Sequence, residues 1–189
     1  MTAGRRADEP PTDAERFEAF VREYQDMVFA TAVRLLGNAT EAEDIAQTVF
    51  LRAFERFAEV GTSPTAAGWL KTVATNLCLN HLSRYRARWQ SAGELGGDRE
   101  SEHGEPVPWV RDTSPLDVVE QTDRAEHLER ALRALPDHQR VPLVLFHFEE
   151  LSYQEIASKL RVSLGKVKTD IHRARERLRN ELSDLYESR

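Results

Sequence analysis

Cysteine is nearly absent from this sequence of 189 residues, which has only Cys78. One cysteine cannot form an internal disulfide, and such scarcity is typical of a reducing compartment, so we expect a cytoplasmic chain. No apolar run approaches the roughly 18 residues that a membrane helix requires, so we expect no membrane insertion. Residues 1–14 have no apolar stretch behind their arginines, and we interpret them as a disordered tail rather than a secretory signal.

Motifs of enzymes and metal sites are also lacking. There is no glycine-rich phosphate loop and no set of His, Asp and Ser residues of the kind used in nucleophilic catalysis. The six histidines have neither metal-ligand spacing nor cysteine partners. We therefore expect no catalytic residue, no metal ligand and no cofactor, and an enzyme is the function that the sequence favours least.

No stretch alternates apolar and polar residues for long enough to form a strand. Apolar residues make up 40% of the chain, enough for a core, and they recur with helical spacing. Residues 91–114 have no periodicity and are rich in glycine and acidic residues, which predicts a flexible linker. The sequence thus predicts an all-α fold, with two small helical domains at residues 15–90 and 115–189 joined by that linker.

Apolar stripes and start signals place the helices before the C-terminal stretch. The first is predicted for residues 17–36, and the second follows a capping box assigned to Thr40 and Glu43. The core positions of this second helix are predicted to be Ile45, Val49, Phe50, Ala53, Phe54 and Phe57. Its other face, which is a solvated surface in the simplest interpretation, contains Asp44, Gln47, Thr48, Arg52 and Glu55. A third helix is predicted for residues 63–88, and further helices for 114–135 and 137–148.

The stretch 151–179 predicts two helices joined by a tight turn. Ser152 and Glu155 form a capping box before the first helix, and Ser163 is expected to cap the second. The free N–H groups at the start of this second helix are then expected to lie near a phosphate. Residues 163–179 contain six Lys and Arg residues against two acidic ones. This pattern is typical of a helix-turn-helix whose second helix enters a DNA major groove. The alternative is a helical hairpin with a solvated charged face.

The spacing of polar residues on that second helix predicts how it would contact DNA. Lys166, Thr169 and Arg173 lie near one face and are expected to reach base edges. Lys168 and Arg175 flank this face and are expected to hold phosphates.

A net charge of −6 is unusual for a DNA-binding protein, so its distribution matters. Residues 63–90 have four basic residues and no acidic one, and residues 151–189 have nine basic residues against six acidic ones. The remaining segments are all acidic and would repel phosphate. We therefore expect weak DNA binding by the free protein and a partner that holds it on the duplex.

The acid-free third helix suits single-stranded nucleic acid. Cations follow the phosphates, while aromatic rings such as those of Tyr85 and Trp89 stack with bases. The alternative is an ordinary basic helix end, which the helix dipole favours. The candidate nucleic-acid contacts in this helix are Lys71, Asn76, Asn80, Arg84, Arg86 and Arg88.

Four motifs, in order and spacing, resemble those of the extracytoplasmic-function (ECF) class of bacterial RNA polymerase sigma factors. They are DIAQTVFLR at 44–52, WLKTVATN at 69–76, Leu-Pro at 135–136 and LSYQEIA at 151–157. The resemblance covers about residues 15–90 and 115–183. It implies a sigma factor that binds core RNA polymerase, directs it to promoters through their −35 and −10 elements, and promotes promoter melting.

The resemblance also implies a role for each surface. The second helix would bind the β′ clamp helices of the polymerase through Asp44, Gln47, Thr48 and Arg52, and the polymerase β flap is a further expected contact. The third helix and the loop before it would bind the melted non-template strand of the −10 element. The helix-turn-helix would read the −35 duplex, the linker would thread through the polymerase, and an anti-sigma factor is an expected partner.

Several residues depart from the family pattern. They are Thr48 in place of a frequent Glu, Asn80 in place of a common Asp, Arg161 in place of a turn Gly, and Asp170 in place of a frequent Arg or Lys. In the left-handed conformation Arg161 would cost about 1 kcal/mol. The main rival is a DNA-binding regulator with its own helix-turn-helix, which would not explain the acid-free third helix.

Overall fold

The computed structural model describes residues 11–83 and 117–187, with side chains described for 11–83 and 126–183. Within these ranges the chain forms helices and no strands, which confirms the predicted all-α fold. The chain divides into two compact units, Met1–His81 and Leu82–Arg189. The predicted contacts Arg84, Arg86 and Arg88 and the predicted linker lie outside the described residues.

Four helices form the described part of the first unit, and four form that of the second. The first four are α1 (Asp13–Leu36), α2 (Ala39–Glu55), α3 (Phe57–Val60) and α4 (Ala66–Leu82). The second four are α5 (Asp117–Ala134), α6 (Asp137–His147), α7 (Tyr153–Leu160) and α8 (Leu164–Glu187). Across the described ranges, none of these helices combines the length and the apolar character needed to cross a membrane.

The starts of α1 and α2 differ from the prediction. Helix α1 begins at Asp13 because Thr12 and Glu15 form a capping box, so residues 13–14 belong to this helix rather than to a disordered tail. The capping box predicted at Thr40 is wrong. The side chain of Asn38 caps α2 instead, accepting hydrogen bonds from the backbone N–H groups of Thr40 and Glu41.

The loop before α4 passes close to an aromatic ring. A Cβ atom on Gly61 would lie 2.5 Å from a ring carbon of Phe57, so a larger residue here would require the ring to shift. The Ser63 hydroxyl then accepts a hydrogen bond from the Thr65 N–H at 3.2 Å. Helix α4 begins at Ala66, slightly later than the predicted start at Ser63.

The core of the first unit lies where α1 packs against α2 and α4 covers it. Its fully buried side chains include Val28, Ala32 and Leu35 of α1, Val49 and Ala53 of α2, and Leu70, Ala74 and Cys78 of α4. The expectation that Phe54 faces this core is wrong, because its side chain is 60% exposed. Its ring packs only edge-on against Phe17, with centroids 4.9 Å apart, at the margin of an aromatic cluster.

The core of the second unit forms around α8. This helix packs against α5, α6 and α7, and its Val167, Ile171 and Ala174 are fully buried. They meet apolar side chains of the neighbouring helices, which include Leu132, Val141, Val144, Leu145, Ile156 and Leu160. Since α8 alone touches the other three helices extensively, its apolar stripe organises the unit.

The turn between α7 and α8 follows the chemistry expected from the sequence. Ser152 and Glu155 form the predicted capping box at the start of α7. Arg161, which stands in place of a turn Gly, adopts the left-handed conformation, with φ 57° and ψ 45°, and its N–H closes the end of the helix. A side chain in this conformation is strained, because its Cβ approaches the following carbonyl oxygen.

This strain yields the first prediction. Arg161→Gly should raise the free energy of unfolding of the second unit by about 0.5–1 kcal/mol, since relief of strain exceeds the added entropy of the unfolded chain. Native-state amide hydrogen exchange at Ile156 and Ile171 of the full chain measures this change. Lys159→Gly is the matched control, and at its helical position it should destabilise by about 1 kcal/mol. A change in the free energy of unfolding in the same direction for both variants would contradict the prediction.

Candidate functional site

The helix-turn-helix presents one polar face of α8 to solvent. Ser163 caps the helix, because its hydroxyl accepts a hydrogen bond from the Lys166 N–H at 3.2 Å. Lys168, Thr169 and Arg173 are exposed, as expected for residues that contact DNA. The burial of the apolar stripe on the opposite side fixes these three side chains on the solvent side.

His172 belongs to the same exposed face, although sequence reasoning did not single it out as a contact. Its Nε2 lies 3.4 Å from a carboxylate oxygen of Glu176, one turn further along the helix. Both side chains are more than half exposed, so solvent screens this pair and it holds neither group firmly. The spacing from Lys168 and Thr169 could have indicated His172, since residues three and four apart share a helix face.

Lys166 and Asp170 occupy a different environment from their neighbours. The Lys166 Nζ lies 3.0 Å from the Asp170 Oδ2, and the two side chains are only 16% and 7% exposed. Burial raises the pKa of Asp170, and the hydrogen bond from Lys166 partly opposes this rise. Lys166 therefore bonds within the protein rather than extending from the reading face.

Arg175 also points into the protein rather than towards solvent. Two of its guanidinium nitrogens lie 3.1 and 3.4 Å from the His147 Nε2 of α6. Its guanidinium carbon, Cζ, lies 5.3 Å from the centre of the Phe146 ring. Because arginine can only donate, His147 Nε2 accepts and the imidazole is neutral. Burial lowers the pKa of His147, and the nearby positive charge of Arg175 lowers it further. Arg175 thus links α8 to α6.

In the first unit, the predicted polar face of α2 is present. Asp44, Gln47 and Arg52 are exposed, while the half-buried Thr48 donates its hydroxyl to the Asp44 carbonyl oxygen at 2.9 Å. Leu51 follows Gln47 by one turn and is 66% exposed, which is unusual for a large apolar side chain. Sequence periodicity does place Leu51 outside the buried stripe, so this signal was available.

Helix α4 exposes a row of small polar residues. Asn76 and Asn80 are exposed one turn apart, and Lys71 is half-buried on the same helix. The C-terminal part of α4 contacts α2, where the His81 Nε2 lies 3.3 Å from a carboxylate oxygen of Glu41. The row of amides is carried on a helix whose Leu70, Ala74 and Cys78 side chains are fully buried. Within the described ranges, no group of three or more His, Cys, Asp or Glu residues could hold a metal ion.

Comparisons with known proteins match both units. The family described as "Sigma-70 region 2" matches residues 20–88, and "Sigma-70, region 4" matches residues 125–178. The ECF RNA polymerase sigma factor SigW of Bacillus subtilis is 33% identical over 174 residues, covering 92% of each chain. The ECF factor SigE of Mycolicibacterium smegmatis is 35% identical, covering 88% of this chain and 62% of that protein. The sigma-E factor of Streptomyces avermitilis is 35% identical, covering 88% of this chain and 84% of that protein.

The Arg175–His147 contact yields the second prediction, which concerns pH. The folded state binds the His147 proton less tightly than the unfolded chain, so acidification through the usual histidine range favours unfolding. The second unit should thus lose stability between about pH 7.5 and 5.5, with His138, whose pKa burial also lowers, acting in the same direction.

His147→Gln tests this origin, because the glutamine carbonyl oxygen can accept from Arg175 without titrating. Hydrogen exchange at Ile171, measured at both pH values, should show a smaller loss of stability in the variant than in the parent. An unchanged loss would show that His147 does not contribute to it.

Proposed function

Because the chain belongs to the ECF class of the sigma-70 family of RNA polymerase sigma factors, we propose that it binds core RNA polymerase and directs it to promoters. It acts as a transcription regulator rather than as a catalytic enzyme. The observation that carries this function is the order of the two units, a region 2 unit followed by a region 4 unit with an exposed cationic reading helix. Its place of action is the cytoplasm, where core polymerase and promoter DNA meet.

The −35 duplex is read by α8. In this proposal, Thr169 and Arg173 reach base edges and Lys168 holds a phosphate, since all three are exposed on one face. The capped helix start at Ser163 directs its N–H groups and positive dipole end towards a phosphate. Lys166 and Arg175, which sequence spacing also placed on the DNA side, are engaged in contacts within the protein.

The melted non-template strand of the −10 element is bound by α4 and the residues that follow it. Asn76 and Asn80 supply exposed amides that both donate and accept hydrogen bonds, as recognition of unpaired base edges requires. Lys71 and the following Arg84, Arg86 and Arg88 supply the positive charge that follows the phosphates. No acidic residue between 63 and 90 opposes this attraction.

Core polymerase is bound by the exposed face of α2, through contacts to the β′ clamp helices. Asp44, Gln47 and Arg52 supply its polar contacts, with Thr48 at its edge. Leu51 adds an apolar contact in the same stripe, since burying one leucine side chain stabilises an interface by about 1.5–3 kcal/mol. We include Phe54 at the margin of this surface because its exposed ring is one turn beyond Leu51.

Further partners follow from the same assignment. The second unit contacts the polymerase β flap, and the acidic linker at residues 91–114 threads through the polymerase. An anti-sigma factor is the regulatory partner that competes for these surfaces. Because polymerase supplies most of the binding to DNA, the acidic net charge of the chain does not prevent promoter recognition.

The third prediction concerns the polymerase-binding face. The double substitution Asp44→Ala and Gln47→Ala should weaken binding to core polymerase by about tenfold or more, since two interface hydrogen bonds of about 1 kcal/mol each are lost. Fluorescence anisotropy of the labelled full chain, titrated with core polymerase, measures the dissociation constant.

The matched control for this double variant is Gln25→Ala with Asp26→Ala. These residues are the same two types, exposed on α1. The control should bind core polymerase as tightly as the parent. Equal losses in both double variants, or no loss in either folded protein, would argue against the assigned face.

The fourth prediction concerns promoter melting. Replacing Asn76 and Asn80 with alanine should reduce opening of the −10 element more than it reduces initial duplex binding, because the amides meet only unpaired bases. Permanganate reactivity of thymines in DNA bound by the holoenzyme measures opening. Asn180→Ala, which changes an exposed residue of the same type on α8, is the control and should leave the reactivity pattern unchanged. Normal thymine reactivity in the double variant at parental occupancy would count against this role.

A further inference from the structure

The ion pair between Lys166 and Asp170 lies within the first two turns of the reading helix. Their closest atoms are 3.0 Å apart, and neither side chain exceeds 16% exposure. By contrast, Lys168, two residues from either partner, is exposed. The helix therefore presents two lysines in different states, one free in solvent and one neutralised inside the protein.

Local helix preferences do not account for this pair. A cation in the first turn opposes the helix dipole, and an acidic residue four positions after a lysine is the weaker order for a helical ion pair. The tertiary environment holds the pair instead. His138, near the start of α6, lies close enough to be affected by the charges of both Asp170 and Lys166, and Arg173 and Arg177 of α8 lie nearby. Lys166, His138 and Arg173 all lie near enough to Asp170 to favour its charged form.

Release of Lys166 towards DNA would leave Asp170 without its hydrogen-bonded cation. Removing one partner of a largely buried ion pair is unfavourable, because the other charge stays desolvated without compensation. A phosphate contact by Lys166 must therefore compete with an existing partner, whereas Lys168 meets no such competition. The pair removes one phosphate-binding cation from a helix that would otherwise attract any DNA sequence.

We propose that Asp170 holds Lys166 away from the DNA backbone and so lowers the affinity of α8 for DNA of any sequence. Discrimination is then carried by the exposed residues of α8, chiefly Thr169 and Arg173. This role rests on the proposed function, since it requires α8 to face the −35 duplex. Asp170 acts through Lys166 and is a positioning residue rather than a direct base contact.

The test uses the full chain in holoenzyme and two duplex probes. One probe contains the sequence that the parent holoenzyme enriches from a randomised −35 pool, and the other contains the same bases in shuffled order. Asp170→Asn should raise affinity for the shuffled duplex about threefold to tenfold at physiological salt and make the logarithmic salt dependence steeper by about one, because one more phosphate is neutralised. Affinity for the enriched duplex should rise by a similar factor, because a phosphate contact strengthens binding to all sequences alike, so the ratio of the two affinities should stay unchanged.

Variants of the two lysines show whether this effect passes through Lys166. Lys166→Met should leave the salt dependence unchanged, while the matched Lys168→Met should make it shallower by about one. Adding Lys166→Met should abolish the effect of Asp170→Asn. If that effect persists without Lys166, removal of a negative charge explains it and the proposal is overturned.

Two further outcomes separate the inference from the proposed function. A shallower salt dependence for Lys166→Met would show that Lys166 already contacts phosphate, and this alone overturns the inference even if Asp170→Asn does not fold. No effect of Lys168→Met on either probe would instead show that α8 does not face DNA, which contradicts the proposed function and the inference with it. Hydrogen exchange at Ile171 verifies that each variant is folded.

Discussion

Burial of the apolar stripe of α8 determines which of its many charged side chains can meet another molecule. Val167, Ile171 and Ala174 are fully enclosed by α5, α6 and α7, so the rotation of α8 is fixed. That rotation exposes Lys168, Thr169 and Arg173 and directs Lys166 and Arg175 back to the protein. A helix with the same sequence but a different packed face would present another set of charges, and its reading surface would be lost.

The distribution of charge along the chain makes promoter DNA binding depend on assembly with polymerase. The chain has a net charge of −6, and its basic residues are concentrated at the two places where nucleic acid is proposed to bind. The reading helix has fewer available cations than its composition suggests, because Asp170 neutralises Lys166 and Arg175 contacts His147. A free chain with so few exposed phosphate contacts gains little from counterion release. Stable promoter binding therefore depends on polymerase, which the exposed face of α2 is proposed to engage.

Local sequence signals predicted those features that depend on a few adjacent residues. The capping box at Ser152 and the helical start at Ser163 both follow from backbone chemistry within one turn. Features that depend on contacts distant in sequence were not predicted. Arg175 and His147 are 28 residues apart, and no periodicity indicates that they meet. Phe54 has the spacing of a core residue, but it lies next to the end of α2 and its ring is exposed. The cap of α2 is Asn38 rather than the predicted Thr40, because the Asn38 side chain accepts hydrogen bonds from the first N–H groups of the helix. Spacing alone likewise could not show that Lys166 turns towards Asp170.

Sequencing of duplexes enriched from a randomised pool tests most directly whether this chain gives core polymerase its promoter specificity. Three samples are required: core polymerase alone, the chain alone, and the two together. Only the combined sample should enrich two short sequence elements at a fixed separation, because the first and second units each contribute one recognition surface. Enrichment of the same elements by the chain alone, or of no elements by the combined sample, would contradict this expectation.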